Sequence, residues 1–275
     1  MNYAHPEVLV DTQWVAEHLS DRKVRVIQTD MDMTAYNSGH IPGAVFWNAF
    51  TTFMQPDYRF NFEYKAFSEL LARSGIANDT TVIIYSDHNA GANCAFWFLK
   101  VFGHNDVRVM NGGRKKWLLE KRSISTEIPT ITPTIYTLKN FDISIRAMQE
   151  QVKAAINTKS ALVDVRTHQE YCGELFMMKP PEKNERAGHI KSAIHLFYEL
   201  ALNEDDTFKS AEELYALYSS KGITPNKEVI TYCAFGARSS HTWFVLKYLL
   251  GYENVRNYDG SWNEWSRLPD TQVET

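Results

Sequence analysis

Short runs of β-branched and aromatic residues alternate along the chain with longer amphipathic stretches. That alternation predicts an α/β fold in which a mainly parallel sheet is flanked by helices. In the first half, Val24 to Gln28, Ala44 to Trp47, Thr81 to Tyr85 and Val107 to Met110 read as strands. In the second half, Ala161 to Val165, Ala193 to Leu196, Glu228 to Tyr232 and Val255 to Tyr258 do the same. Helices are predicted between them. Ala211 to Ser219 has Ser210 as its N-cap, and Ser239 to Leu250 stops at Gly251. Arg146 to Asn157 reads as a further helix, capped by Ser144 or Asp142.

The pattern is written twice. Gly39-His40-Ile41-Pro42-Gly43-Ala44 returns as Gly188-His189-Ile190-Lys191-Ser192-Ala193, an offset of 149. Asp106-Val107-Arg108, Asn111-Gly112-Gly113 and Trp117 return as Asn254-Val255-Arg256, Asp259-Gly260-Ser261 and Trp265, an offset of 148. Duplication of this kind predicts two similar domains, and 275 residues exceed the usual size of one hydrophobic core. The boundaries expected are 1–122 for the first domain, 123–140 for a Thr-, Pro- and Ile-rich connection crossing the surface as a strap, and 141–275 for the second.

Composition narrows the function classes. A formal charge of -4 gives no positive field for nucleic acid or anionic lipid. No apolar run is long enough for a transmembrane helix, and the start Met1-Asn2-Tyr3-Ala4-His5 lacks the basic and apolar regions of a secretory signal, so a cytoplasmic protein acting on a small substrate is expected. The three cysteines, Cys94, Cys172 and Cys233, are odd in number and form no Cys-x-x-Cys pair. That argues against a disulfide framework or a structural zinc site. No metal and no cofactor is expected, since the glycine-rich phosphate loop, the His-Glu-x-x-His helix and the Gly-x-Ser-x-Gly elbow are all missing from the sequence.

Cys233 stands apart from the other two cysteines. It follows the predicted strand Val229-Ile230-Thr231-Tyr232 and precedes a helix, the position where open α/β sheets place their ligands. A helix N-terminus favours an anion there, and the thiolate is the reactive form of cysteine. In the loop Cys233-Ala234-Phe235-Gly236-Ala237-Arg238, the glycine and alanines leave room for amides to point inward as an anion-binding nest. Arg238 closes it with a permanent charge. A thiolate attacking sulfur in such a cradle needs no general base. By contrast, Cys94 reads as core and Cys172 as structural.

This loop resembles the active-site loop of the rhodanese family. Arg186 before Gly188-His189-Ile190, and Tyr258-Asp259-Gly260-Ser261-Trp262-Asn263-Glu264-Trp265, resemble two further motifs of its tandem members, the thiosulfate and 3-mercaptopyruvate sulfurtransferases. The resemblance implies two tandem rhodanese-like α/β domains, of which the second reacts. The first has Ser86 and Asp87, and no cysteine, after its corresponding strand. It implies sulfur transfer through a persulfide on Cys233, from a small anionic donor to a thiophilic acceptor such as cyanide. Arg186 and Arg238 would hold the donor, Ser261 would add a hydrogen bond, and the amides of Ala234, Phe235, Gly236 and Ala237 would line the cradle. Asp164 would tie its strand end to nearby loops, and His40 and His189 would fix turns. Asp87 reads as a loop cap or an interface contact, and Phe235 as either a wall of the pocket entrance or a cover for the domain interface.

Four residues separate Cys233 from Arg238. The phosphatases that share the fold have one more, which fits their loop around phosphate. Arg238-Ser239-Ser240-His241-Thr242-Trp243 looks like the thiosulfate group, while Ala234 and Ala237 depart from its charged loop positions. Thiosulfate is therefore the donor expected, with 3-mercaptopyruvate as the alternative. A non-catalytic rhodanese-like binding module and a phosphatase are the remoter readings.

Overall fold

The computed structural model describes residues 2–138 and 141–275. In chain order the first domain has β1 (Leu9–Val10), α1 (Thr12–His18), β2 (Val24–Asp30), α2 (Thr34–Ser38), β3 (Val45–Asn48), α3 (Ala49–Phe53), α4 (Tyr64–Arg73), β4 (Thr81–Tyr85), α5 (Asn89–Val101), β5 (Val107–Met110) and α6 (Gly113–Leu119). The second has β6 (Arg146–Ala147), α7 (Gln149–Ala155), β7 (Ala161–Asp164), α8 (His168–Tyr171), β8 (His189–Ile190), β9 (Ile194–His195), α9 (Ala211–Ser219), β10 (Val229–Tyr232), α10 (Ala237–Phe244), β11 (Val255–Tyr258), α11 (Ser261–Trp265) and β12 (Val273–Glu274).

The two five-stranded sheets are built alike. Strand order is β1-β5-β4-β2-β3 in the first and β6-β11-β10-β7-β9 in the second, and every pairing within them is parallel. Parallel strands covered on both faces read as continuous apolar runs. Accordingly Val82, Ile83, Ile84 and Tyr85 of β4 and Val229, Ile230 and Tyr232 of β10 are wholly buried. Matching registers pair Gln28 with Tyr85 and Asp164 with Tyr232. In both domains the tyrosine hydroxyl reaches across to accept the amide of the Gly-His-Ile isoleucine, Ile41 or Ile190, at 3.0 Å. The histidines fix these turns: His40 stacks on Tyr36 and His189 on Tyr171, each at 3.7 Å, and each Nδ1 lies 2.9 Å from that tyrosine's own carbonyl.

Several predicted boundaries move. The helix expected over Arg146 to Asn157 begins only at Gln149, because Arg146 and Ala147 pair with Asn257 and Tyr258 as an edge strand. Neither Ser144 nor Asp142 caps it. The Gln151 side chain returns to the Met148 amide instead, at 2.8 Å. The helix expected over Ser239 to Leu250 starts at Ala237 and widens into a π-helical turn, Val245–Leu249, before Gly251. There the N-terminal segment joins it, with the Ala4 and His5 amides donating to the carbonyls of Leu249 and Tyr248 at 2.9 and 3.0 Å.

By internal contacts the first compact unit comprises Pro6–Ile143 with Leu202–Phe208, and the second comprises the chain up to His5, Ser144–Ala201 and Lys209–Thr275. The connecting segment carries no regular element among its described residues. It is pinned to the first unit by a bridge between His40 and Ser125, by Thr134 N–H to Ala72 O at 2.9 Å, and by the Tyr136 hydroxyl 2.8 Å from His104 Nδ1. Lys139 and Asn140, its predicted end, lie outside the described residues. Among the described residues no helix is long and apolar enough to cross a membrane.

Candidate active site

Cys233 follows the last residue of β10, at the carboxyl end of the sheet of the second domain. Its backbone is held from the next turn. The amides of Trp262 and Asn263, in the first turn of α11, donate to the carbonyls of Cys233 and Ala234 at 3.0 and 2.9 Å. Ser261 is wholly buried, and its hydroxyl accepts from Cys233 N–H at 3.1 Å while donating to Tyr258 O at 2.7 Å. These bonds hold Ser261 at φ 50°, a region unfavourable for a side chain. Ser261 thus supports the loop from beneath.

The loop turns through Gly236, whose φ of 89° suits glycine. That turn aims the Gly236 amide at the Cys233 sulfur, 3.1 Å away. The Ser239 hydroxyl lies 3.6 Å from the same sulfur and donates to Asn257 Oδ1 at 2.6 Å. Cys233 is only 1% exposed, so the sulfur is nearly enclosed, yet it faces polar donors and not hydrocarbon alone. Ala234 and Gly236 are buried, whereas Phe235 and Ala237 are half-buried.

Arg238 reaches a partner that the sequence reading missed. Its Nη1 and Nη2 donate to the two carboxylate oxygens of Glu170 at 2.7 and 2.8 Å, and the Glu170 side chain is wholly buried. Burial works against the Glu170 charge, but the Arg238 hydrogen bonds and the charges of Arg238 and Arg166 outweigh it and hold the carboxyl below its ordinary range. Burial likewise opposes the Arg238 cation, and Glu170 and the nearby Cys233 sulfur outweigh it, so this guanidinium stays charged. Thr167-His168-Gln169-Glu170 has the spacing of a capping box, and the structure forms one: Thr167 Oγ1 accepts the Glu170 amide at 3.3 Å and Glu170 Oε2 accepts the Thr167 amide at 3.2 Å. The local signal for Glu170 was therefore a helix start. Its second task depends on a residue far away in sequence.

Below the loop, Asp164 and Arg166 form a fully buried ion pair at 2.6 Å. Arg166 also donates to Gly188 O at 2.6 Å, and its guanidinium lies 4.6 Å from the Trp262 ring. Asp164 and its arginine thus join the strand end, the Gly-His-Ile turn and α11. Arg186 was expected on the donor. In this structure its Nη1 donates to Leu268 O at 2.5 Å and Thr271 Oγ1 at 2.9 Å, and its Nη2 to Thr271 O at 2.5 Å. Both ends of its fork hold the tail after α11. Tyr198 was also missed, and no sequence signal marks it. Its hydroxyl donates to Glu199 at 2.8 Å, and burial first, then Glu199, raise its pKa, with Arg238 and Cys233 within electrostatic reach.

The corresponding loop of the first domain is built on the same backbone plan. Ser86 O accepts the Arg114 amide at 3.0 Å, as Cys233 O accepts that of Trp262. Here Asp30, two residues beyond Gln28 in β2, takes the place that Arg166 holds beyond Asp164. Asp30 Oδ1 accepts the amides of Asp87 and His88 at 2.9 and 3.3 Å, and Arg114 pairs with Asp87 at 3.3 Å. Asp30, Asp32, Asp87, His88 and Arg114 line an open cleft of about 390 Å³. The remaining cysteines sit elsewhere, Cys94 buried in α5 and Cys172 half-buried at the end of α8, 3.4 Å from His168 Nε2. No three His, Cys, Asp or Glu side chains are grouped for a metal among the described residues.

One α/β domain used twice, with a cysteine-bearing loop in one copy, defines the class. Residues 11–120 and 148–268 each match the Rhodanese-like domain, and the chain belongs to the rhodanese family, with its domain in two tandem copies. A sulfur carrier protein, TtuD of Thermus thermophilus, is 52% identical over 98% of this chain and 96% of its own length. A protein of Mycolicibacterium smegmatis provisionally named a thiosulfate sulfurtransferase is 46% identical over 98% of this chain and 99% of its own length. Among solved structures, the anaerobic ergothioneine biosynthesis enzyme of Chlorobium limicola superposes with a TM-score of 0.87 at 27% identity, over 99% of this chain and 71% of that one. A form of EanB bearing a cysteine persulfide, with ergothioneine, gives 0.85 at 26% identity over 99% and 71%. Sulfurtransferase chemistry is the function these relatives support.

Proposed function

We propose that the protein is a thiosulfate sulfurtransferase that works through a persulfide on Cys233. The observation that carries this reading is the Gly236 amide set 3.1 Å from the Cys233 sulfur in a short loop closed by Arg238. The Cys233 thiolate attacks the outer sulfur of thiosulfate, the S–S bond of the donor breaks, and its electron pair leaves with sulfite. A thiophilic acceptor then attacks the terminal sulfur of the persulfide. Its S–S bond breaks and the pair returns to Cys233, so that cyanide would become thiocyanate and no electrons are left over. The inward amide stabilises negative charge on the sulfur in both states. In this scheme Arg186 helps to hold the donor's anionic end, and it also braces the tail from Leu268 to Thr271.

Ala234 and Ala237 supply no extra cation, and this keeps 3-mercaptopyruvate in view as the alternative donor. The likeness to a sulfur carrier protein favours handing the sulfur on to a further acceptor. Turnover with thiosulfate and with 3-mercaptopyruvate, each with cyanide, tests the scheme in the parent and in Cys233→Ser. The variant should lose at least about a thousandfold in rate, together with the mass gain of one sulfur atom on the cysteine. Equal rates in parent and variant would remove the mechanism.

A further inference from the structure

Sulfur transfer by a thiolate needs no carboxylic acid, yet a fully buried carboxylate meets both terminal nitrogens of the loop's only cation. A guanidinium facing solvent binds oxyanions through that same two-nitrogen fork. With the fork turned to Glu170, Arg238 contributes a fixed position beside the sulfur and little net charge. Among the described residues, the other cation beneath the loop, Arg166, is cancelled in the same way by Asp164. The sulfur therefore sits among amide dipoles and balanced ion pairs, with no surplus positive charge.

We propose that Glu170 is a positioning and specificity-determining residue, holding Arg238 beside the sulfur while neutralising it, so that dianionic donors and the sulfite they leave behind are bound only weakly. The inference rests on the sulfur-transfer reading above and deepens it. The physical reason lies in the departing fragment. Sulfite is itself an anion, and an uncompensated guanidinium beside the sulfur would retain it and block the acceptor. A balanced pair keeps the loop ordered without trapping the product.

The test uses the whole chain and the variants Glu170→Gln and Glu170→Asp. One extra positive charge near the sulfur, in surroundings of intermediate dielectric, should tighten dianion binding by about five- to tenfold. In Glu170→Gln the KM for thiosulfate and the inhibition constant for sulfite should fall together by that factor, while kcat falls as release slows. The KM for monoanionic 3-mercaptopyruvate should move less. Glu170→Asp, which keeps the charge, should stay within about twofold of the parent. A purely structural role would raise both constants, or leave their ratio between donors unchanged, and either result overturns the proposal.

If Glu170→Gln does not fold, Arg238→Met and Arg238→Met/Glu170→Gln decide the matter. The single variant leaves the acid unbalanced and should weaken sulfite binding, and the double variant should recover part of that loss. No recovery would sink the idea. Sulfite binding by calorimetry is read independently of turnover. A parent that takes no sulfur from thiosulfate defeats the thiosulfate reading, whereas unchanged sulfite affinity in Glu170→Gln defeats only the role of Glu170.

Discussion

The Cys233 loop and the Ser86 loop share one scaffold and carry different electrostatics, balanced ion pairs in one and an excess of acid in the other. Each follows a central strand ending in tyrosine, and each is hung from a backbone amide of the next element at 3.0 Å, from Trp262 in one and Arg114 in the other. Each is followed by a residue held in the left-handed region, Ser261 at φ 50° and Gly113 at φ 51°. What differs is a handful of side chains. Around Cys233 two arginines are matched one to one with buried acids. Around Ser86 three aspartates share a cleft with one arginine. The shared sequence therefore serves the turn geometry, and the chemistry resides in side chains that the two copies do not share.

The largest expected effect follows from moving the thiol. Ser86→Cys in a Cys233→Ser background should show less than about 1% of the parent's turnover, because the environment of a cysteine sets its reactivity and this loop carries the carboxylates of Asp30 and Asp87 and has no arginine matching Arg238. Activity near that of the parent would show that the scaffold alone suffices.

The paired supports come next. Asp164→Ala leaves the wholly buried Arg166 without its counterion, and should destabilise the second domain by about 3–5 kcal/mol. The matching change in the first domain, Gln28→Ala, removes neutral partners of the Tyr85 hydroxyl at 2.6 Å and of Asp30 at 2.8 Å, and should cost about 1–3 kcal/mol. Denaturant unfolding of the two variants measures the difference, and equal losses would mean that the charge at Arg166 is screened by groups other than Asp164.

The smallest effect is also the sharpest, since it has opposite signs in the two copies. Glu170 is held below its ordinary value of 4.5, so its stabilising contribution is complete above that pH and is lost as pH falls through the lower folded value. Asp30 is raised above its ordinary value of 3.8, by burial first and against its hydrogen bonds from Gln28, Asp87 and His88. The folded state then binds the extra proton, so its contribution falls as pH rises from 3.8 through the raised value. Stability against pH should therefore lose its acid limb in part in Glu170→Gln, and Asp30→Asn should gain stability at neutral pH. Parallel shifts in both variants would contradict this difference between the copies.

Much of this was legible before any coordinates. Strands β4, β5 and β11 begin and end where the apolar runs do, and α9 starts behind Ser210 as its capping pattern predicts. The Cys233 loop announces itself through a strand, small residues, an arginine and a helix in sequence. What escaped were features made by partners distant in the chain. Two-residue edge strands such as β1 and β6 are too short to show a period. Arg186 looks like a free cation until Thr271 is folded against it. Glu170 reads as a helix cap because locally it is one.

An unloaded sulfur that is 1% exposed leaves almost no room around it. A second sulfur, bonded at about 2 Å, must push its neighbours aside or emerge at the surface. On the proposed mechanism the loaded and unloaded loops would then present different faces, and an acceptor that docks on shape alone would already distinguish them.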